Sequence, residues 1–234
     1  MNPEHQPRSG EPSNDQRERT EEQPIRFAGS VLDAKRHIGA FFRSQEEEYR
    51  VLLPFIKQGF ELGEKAFHVV NPKLREDHLQ RLRDVGIDTD SAEQSGQLQL
   101  QVWEEVYISA GRFDTERKLA AWKTDLNPTG QGRFPRTRVV AHMEWALEDY
   151  EGVEDLLEYE AKFDLFHENH PDPVICTYDL NKFSAEVIMD ILRTHPMVVV
   201  GGHLQENPFY MPPEQFLAEL RERGTFSGTS VPIA

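Results

Sequence analysis

The sequence predicts an α/β domain, a mostly parallel sheet with helices on both faces. Two observations carry that expectation. Strand-like and helix-like runs alternate from residue 37 to residue 222, the pattern of βα repeats built around one sheet. Runs such as "VICTY" (174–178) and "MVVV" (197–200) are apolar on both faces, as strands covered from both sides must be. Hydrophobic residues make up 38 % of the 234, enough to build a sizeable core.

Residues 1–24 contain no Val, Ile, Leu, Phe, Tyr or Trp and carry six acids against three bases. Such a segment cannot bury enough apolar surface to offset its ordering entropy, so a disordered acidic tail is expected. Residues 25–223 are expected to form the folded α/β domain, and 224–234 a flexible C-terminal tail. Within the domain, "HIGAFF" (37–42) reads as a buried strand and 44–63 as a helix. Ser44 with Glu47 three residues on forms a capping box, and Tyr49, Leu52, Leu53, Ile56 and Phe60 share one helical face. Pro54 should kink or restart that helix, and Gly63 suits its C-terminal end.

"KAFHVVN" (65–71) is the next strand and 73–86 the next helix. "QLQLQVW" (97–103) alternates as a half-exposed strand should, 112–126 is helical, and "QGRFPR" (131–136) is a loop. "TRVVAHMEWA" (137–146) is a strand, 151–169 an acidic helix, and "DPVICTYD" (172–179) a strand. Ser184 then caps a helix, with Phe183 and Ile188 placed as a hydrophobic staple. "MVVVGG" (197–202) is a last buried strand, and a helix over 212–224 closes the domain.

Bulk properties exclude several classes. The formal net charge is −15, the wrong sign for neutralising phosphates, so nucleic acid is not an expected partner. No apolar run approaches the roughly 18 residues of a membrane helix, and the N-terminus has no apolar signal region. A single cysteine fits a reducing cytoplasm.

Open parallel sheets bind ligands at the carboxyl ends of their strands. That rule selects Phe42, Arg43, Ser44, Trp103, Glu144, Trp145, Tyr178, Asp179, Gly202 and His203 as ligand-binding candidates, an aromatic and cation-poor set with no assigned catalytic or metal role. The first strand-to-helix turn, "FFRSQEEEY", has no glycine and three glutamates, so it lacks what a phosphate-cradling P-loop needs. No cofactor is expected. An alternative reading makes the chain a metal-assisted hydrolase or relic nucleotide enzyme. In it His142 and Glu144, on one strand face, act with Asp179 or Cys176. His37 reads as a hydrogen-bonded edge histidine. Cys176, inside an apolar strand, reads as a small buried side chain with a raised thiol pKa.

Four segments also resemble a known family: "RHIGAFFRSQEEEYRVLLPFIKQGFELGEKAFHVV", "RVVAHMEWALED", "DPVICTYDLNKFSAEVIMDILRTHPMVVVGGHLQENPFY" and "PPEQFLAELRER". They are similar to the MEDS family, the methanogen/methylotroph DcmR sensory domain, over about residues 36–223. The resemblance implies a RecA/KaiC-like fold without a P-loop and a small-molecule sensor in bacterial and archaeal signalling. It implies a signalling protein partner such as a histidine kinase or an anti-sigma-type regulator. The chain has no room for such a module of its own, so output through a partner or through homo-oligomerisation is expected. The leading expectation is therefore a non-catalytic sensory module that binds a small organic molecule at the strand ends.

Overall fold

The computed structural model describes residues 23–126, 133–168 and 170–224. Of the expected tails at 1–24 and 224–234, residues 1–22 and 225–234 lie outside the described residues, as does the first part of the loop at 131–136. The central sheet has seven strands: β1 (His37–Phe42), β2 (Lys65–Val70), β3 (Leu98–Val102), β4 (Thr137–His142), β5 (Val174–Asp179), β6 (Met197–Val200) and β7 (His203–Glu206). Their spatial order is β7-β6-β1-β5-β4-β2-β3. All neighbours are parallel except β6 and β7, so the expected α/β class is the one observed.

Eight α-helices flank the sheet among the described residues: α1 (Gln45–Glu61), α2 (Arg75–Asp84), α3 (Thr89–Ser95), α4 (Trp103–Val106), α5 (Thr115–Asp125), α6 (Leu156–His167), α7 (Ala185–Thr194) and α8 (Pro213–Glu222). Strand residues alternate between the two faces. Ile38, Ala40, Phe42, Val140 and Ile175 pack with Leu52, Phe55 and Ile56 of α1 and Leu79 and Leu82 of α2. Phe41, Val139, Val174, Cys176 and Tyr178 pack on the other face with Trp122 of α5, Tyr159 and Phe163 of α6 and Ile191 of α7. Each face is thus sealed by its own helices, which explains why β1 and β4 are buried at every position.

Several expectations are corrected. α1 runs unbroken through Pro54, whose ring lies on the solvent side. Ser44 accepts from the Glu47 amide at 3.2 Å, while the Glu47 carboxylate accepts from Arg43 rather than from Ser44 itself. β4 stops at His142, and Glu144 and Trp145 lie in a 3-10 turn over Met143–Leu147. The Gly201-Gly202 pair does not end the sheet. Both glycines adopt positive φ and turn the chain into the antiparallel strand β7. α3, a single short segment capped by Asp88, has no hydrophobic periodicity to announce it. His37 begins a central strand, flanked by β5 and β6, and is no edge residue.

The Gly63-Glu64 junction before β2 has a packing role. Glu64 is 4 % exposed and bonds Arg136 at 2.9 Å and Arg138. Arg138 in turn occupies the space beside Gly59, where an added Cβ would sit 2.8 Å from its Cδ. No helix among the described residues is long and apolar enough to cross a membrane.

Candidate functional site

A cleft of about 300 Å³ opens at the carboxyl ends of β1, β4 and β5. Phe42 ends β1 and Ser44 caps α1, so both reach it by chain continuity. Glu48 faces it from the first turn of α1, His142 from the end of β4, Glu144 from the following turn, and Tyr178 and Asp179 from the end of β5. Lys182 closes one side, bonded to Glu144 at 2.6 Å and within 3.6 Å of Asp179. Three side-chain atoms here are buried without a hydrogen-bond partner: Glu48 Oε1, His142 Nε2 and Glu144 Oε2. Buried polar atoms are rarely left this way in folded proteins. Glu48 Oε1 and His142 Nε2 approach to 3.3 Å, an attraction when Nε2 carries a hydrogen.

Five of the ten sequence candidates meet at this cleft: Phe42, Ser44, Glu144, Tyr178 and Asp179. The other five do not. Arg43 is exposed beside it, with its carbonyl accepting from Asn181 at 2.6 Å. Trp103 and Trp145 are 3 % and 0 % exposed. Trp145 stacks on Tyr107 at 4.5 Å and meets Phe113 at 4.4 Å, so it fills the core under the α4–α5 segment. Gly202 and His203 belong to the β6–β7 hairpin, and His203 bonds only the nearby Gly201 carbonyl among the hydrogen bonds described for it. Glu48 and Lys182 were missed because each sits on a helix or loop, not at a strand end.

Behind His142 lies a line of buried histidines on the α1 face. Tyr49 Oη meets His78 Nδ1 at 2.7 Å, and His78 Nε2 meets His68 Nδ1 at 2.9 Å. Burial is the largest influence on both rings and His142 adds to it, holding His68 down at about 3 and His78 well below the usual imidazole range. These rings are therefore neutral at physiological pH.

A second cluster lies on the opposite face, under α6. His37 from β1, Cys176 from β5, Glu160 from α6 and His195 before β6 bring one donor atom each to within 4.8 Å of one another. All four are 4 % exposed or less. Glu160 Oε2 lies 3.3 Å from His37 Nε2 and 3.4 Å from His195 Nε2, and Cys176 Sγ lies 3.8 Å from His37 Nε2. Tyr178 donates to the other Glu160 oxygen at 2.9 Å. Burial would raise the Glu160 carboxyl, but the two imidazoles outweigh it and hold the group at about 2. Burial and the Glu160 charge push the Cys176 thiol up to about 12, and the side chain is buried, as expected. Of the ligand sets considered around His142 and Glu144, the one with Cys176 does not form, whereas Asp179 lines the same cleft as both. Cys176 pairs with Ala141 in register and points to the α6 face, whereas His142, one residue on, points to the α1 face.

The chain is 26 % identical over 170 residues to the transcriptional repressor DcmR of Methylorubrum extorquens, a match covering 72 % of this chain and 61 % of that protein. It thus spans about three fifths of that relative's length. A KaiC-like protein of Pyrococcus horikoshii is similar with a TM-score of 0.46 and 16 % identity, covering 70 % of each chain. The profile of the methanogen/methylotroph DcmR sensory domain matches residues 36–196, a span that includes the whole cleft lining and all four residues of the α6-side cluster. The chain belongs to the MEDS family, the methanogen/methylotroph DcmR sensory domain, and its role is a sensory or regulatory one.

Proposed function

We propose that the cleft at the carboxyl ends of β1, β4 and β5 is the sensor's ligand site, and that it takes a small organic molecule bearing a hydroxyl or amino group. The observation that carries this reading is a set of buried polar atoms without a hydrogen bond at one small cleft: Glu144 Oε2, and Glu48 Oε1 with His142 Nε2, which meet only each other at 3.3 Å. Two are carboxylate oxygens, which accept only, so a donor on the ligand supplies what they lack. The volume is at the small end for ligand pockets and suits a compound of few heavy atoms. Phe42, Leu74 and Tyr178 supply the apolar part of the wall.

Binding would pull α1, which carries Glu48, toward the ends of β4 and β5, and the shape change would pass to a signalling partner or a second copy of the chain. The curated relative is a transcriptional repressor. For this chain the net charge of −15 favours output through a protein contact over direct phosphate binding.

A thermal-shift titration with short alcohols, short amines, halocarbons and small carboxylates tests the site. Donor-bearing compounds should raise Tm saturably by mass action, and Glu144→Gln with His142→Ala should remove the response while leaving the fold intact. A panel without any saturable shift, or a shift untouched by both substitutions, would sink the assignment.

A further inference from the structure

We infer that the His37–Glu160–Cys176–His195 cluster is a closed zinc site. The inference does not rest on the cleft reading: its four residues are not among those lining the cleft, and Tyr178 links the two regions, lining the cleft and donating to Glu160. Its basis is geometric: four potential ligand atoms, carried by β1, β5, the approach to β6 and α6, converge within 4.8 Å of one another in the buried core. His195 Nδ1 lies 3.0 Å from the Ile191 carbonyl, which can only accept, so Nδ1 carries the hydrogen. Nε2 is then the ring atom that faces the cluster. His37 Nδ1 lies 3.0 Å from the Asp164 carboxylate, which also accepts, so Nδ1 is the donor there and Nε2 faces the same spot. Burial opposes charge on this ring, but its bonds to Asp164, Cys176 and Glu160 raise it well above the usual imidazole range, so a metal at Nε2 would take the place of a proton. Glu160 Oε2 faces both. Glu160 Oε2 and His195 Nε2 are buried with no hydrogen-bond partner. Two imidazole nitrogens and a carboxylate oxygen converging in a dry interior need positive charge between them, supplied either by ring protons or by a metal cation.

The chemistry of the donors selects the cation. Two imidazole nitrogens, a carboxylate oxygen and a thiol sulfur form a mixed set that suits zinc rather than calcium or magnesium. Four ligands at zinc distances mark tetrahedron edges of about 3.4 Å, slightly longer to sulfur. Three of the six separations, 3.3, 3.4 and 3.8 Å, come close to that frame, and the remaining ones lie within 4.8 Å. The partners behind the ligands fit as well. Metal-bound histidines give their second N–H to a carboxylate or backbone carbonyl, and Asp164 and Ile191 stand at those places. Asp164 is itself fixed by Tyr210 Oη at 2.7 Å. With all four positions supplied by protein and no open face, the site is structural rather than catalytic. It ties the starts of β1 and β6 to α6. On binding, the Cys176 S–H and His37 Nε2–H bonds break, Zn–S and Zn–N bonds form, and the protons leave to buffer.

The test uses the full chain, unfolded with a chelator and refolded with or without equimolar zinc. One zinc per chain should survive desalting, measured by plasma mass spectrometry, and the zinc-refolded protein should melt higher. Cobalt in its place should give a sulfur-to-cobalt charge-transfer band that Cys176→Ala abolishes. Asp164→Asn, which touches no metal, should weaken zinc affinity about 10- to 100-fold. Wild-type protein that retains no zinc and melts identically under both conditions would overturn the inference and leave protons bridging the cluster. Zinc held undiminished by the His195→Gln, Cys176→Ala double variant would overturn it too, by placing the ion elsewhere. The wild-type reconstitution decides even if a variant fails to fold.

Discussion

The cleft at the strand ends and the cluster under α6 are built from similar side chains and differ in their access to water. At the cleft, Lys182 is half exposed and its carboxylate partners keep some contact with solvent. In the cluster, Glu160, His37 and His195 are at most 1 % exposed. Near the surface a charge can be rescreened when its partner is lost, so such pairs contribute little to stability. In the interior the orphaned charge has no such refuge. The same residue types thus make an exchangeable site in one place and a fixed one in the other. The position of each along β4 and β5 decides which: Cys176 lies in the middle of its strand, and Asp179 at the end.

The largest test of that contrast is to remove one carboxylate from each region. Glu160→Ala leaves two buried imidazoles and the Tyr178 hydroxyl without their acceptor and should cost about 3–5 kcal/mol. Glu144→Ala should cost about 1 kcal/mol or less. Chemical denaturation of both variants reads the difference, and equal losses would break the contrast.

Acid should also strain the buried histidine line behind the cleft. His68 and His78 have folded pKa values below their unfolded ones, since burial and the neighbouring His142 disfavour their charged forms. Tyr49 and Glu48 from α1 and Arg75 and Arg81 from α2 also face this group. The unfolded chain therefore binds more protons than the folded one between about 6.5 and the folded value of about 3 for His68. Stability should fall as pH drops through that window. Urea midpoints from pH 7 to pH 4 measure it, and a His68→Gln variant should flatten the slope.

Cys176→Ser should cost about 1–3 kcal/mol by burying a hydroxyl, whereas Cys176→Ala should be milder. Native protein should resist alkylation and react only on unfolding. Rapid modification of the folded chain would show that the α6 face opens. The smallest effect is expected from ATP with magnesium. The glycine-free turn before α1 offers no phosphate cradle, so Tm should not move.

Much of the scaffold was legible because it rests on local signals. The apolar strands, the Ser44 and Ser184 caps and the glycine-free first turn follow from spacing and residue type alone, and the α/β class follows from their alternation. The strand-end rule likewise placed Phe42, Ser44, Glu144, Tyr178 and Asp179 at one cleft. It failed for Trp103 and Trp145, because an aromatic at a strand end can turn inward, and nothing in the chain near either residue says which way it goes. Pro54 was misjudged for a similar reason: packing of the α1 face onto the sheet carries the helix past a residue that disfavours it.

What the sequence determined by itself is the order of strands and helices, the acidic net charge, the lack of a P-loop and the family to which these motifs point. Only the tertiary structure decided that His37, Glu160, Cys176 and His195, separated by up to 158 positions in the chain, share one pocket of the core. It also decided that Cys176 and His142 look to opposite sides. The physical reason is that parallel pairing fixes register by contacts between distant segments. A shift of one residue would reverse the face of every side chain, and no local pattern records which face its neighbours will take.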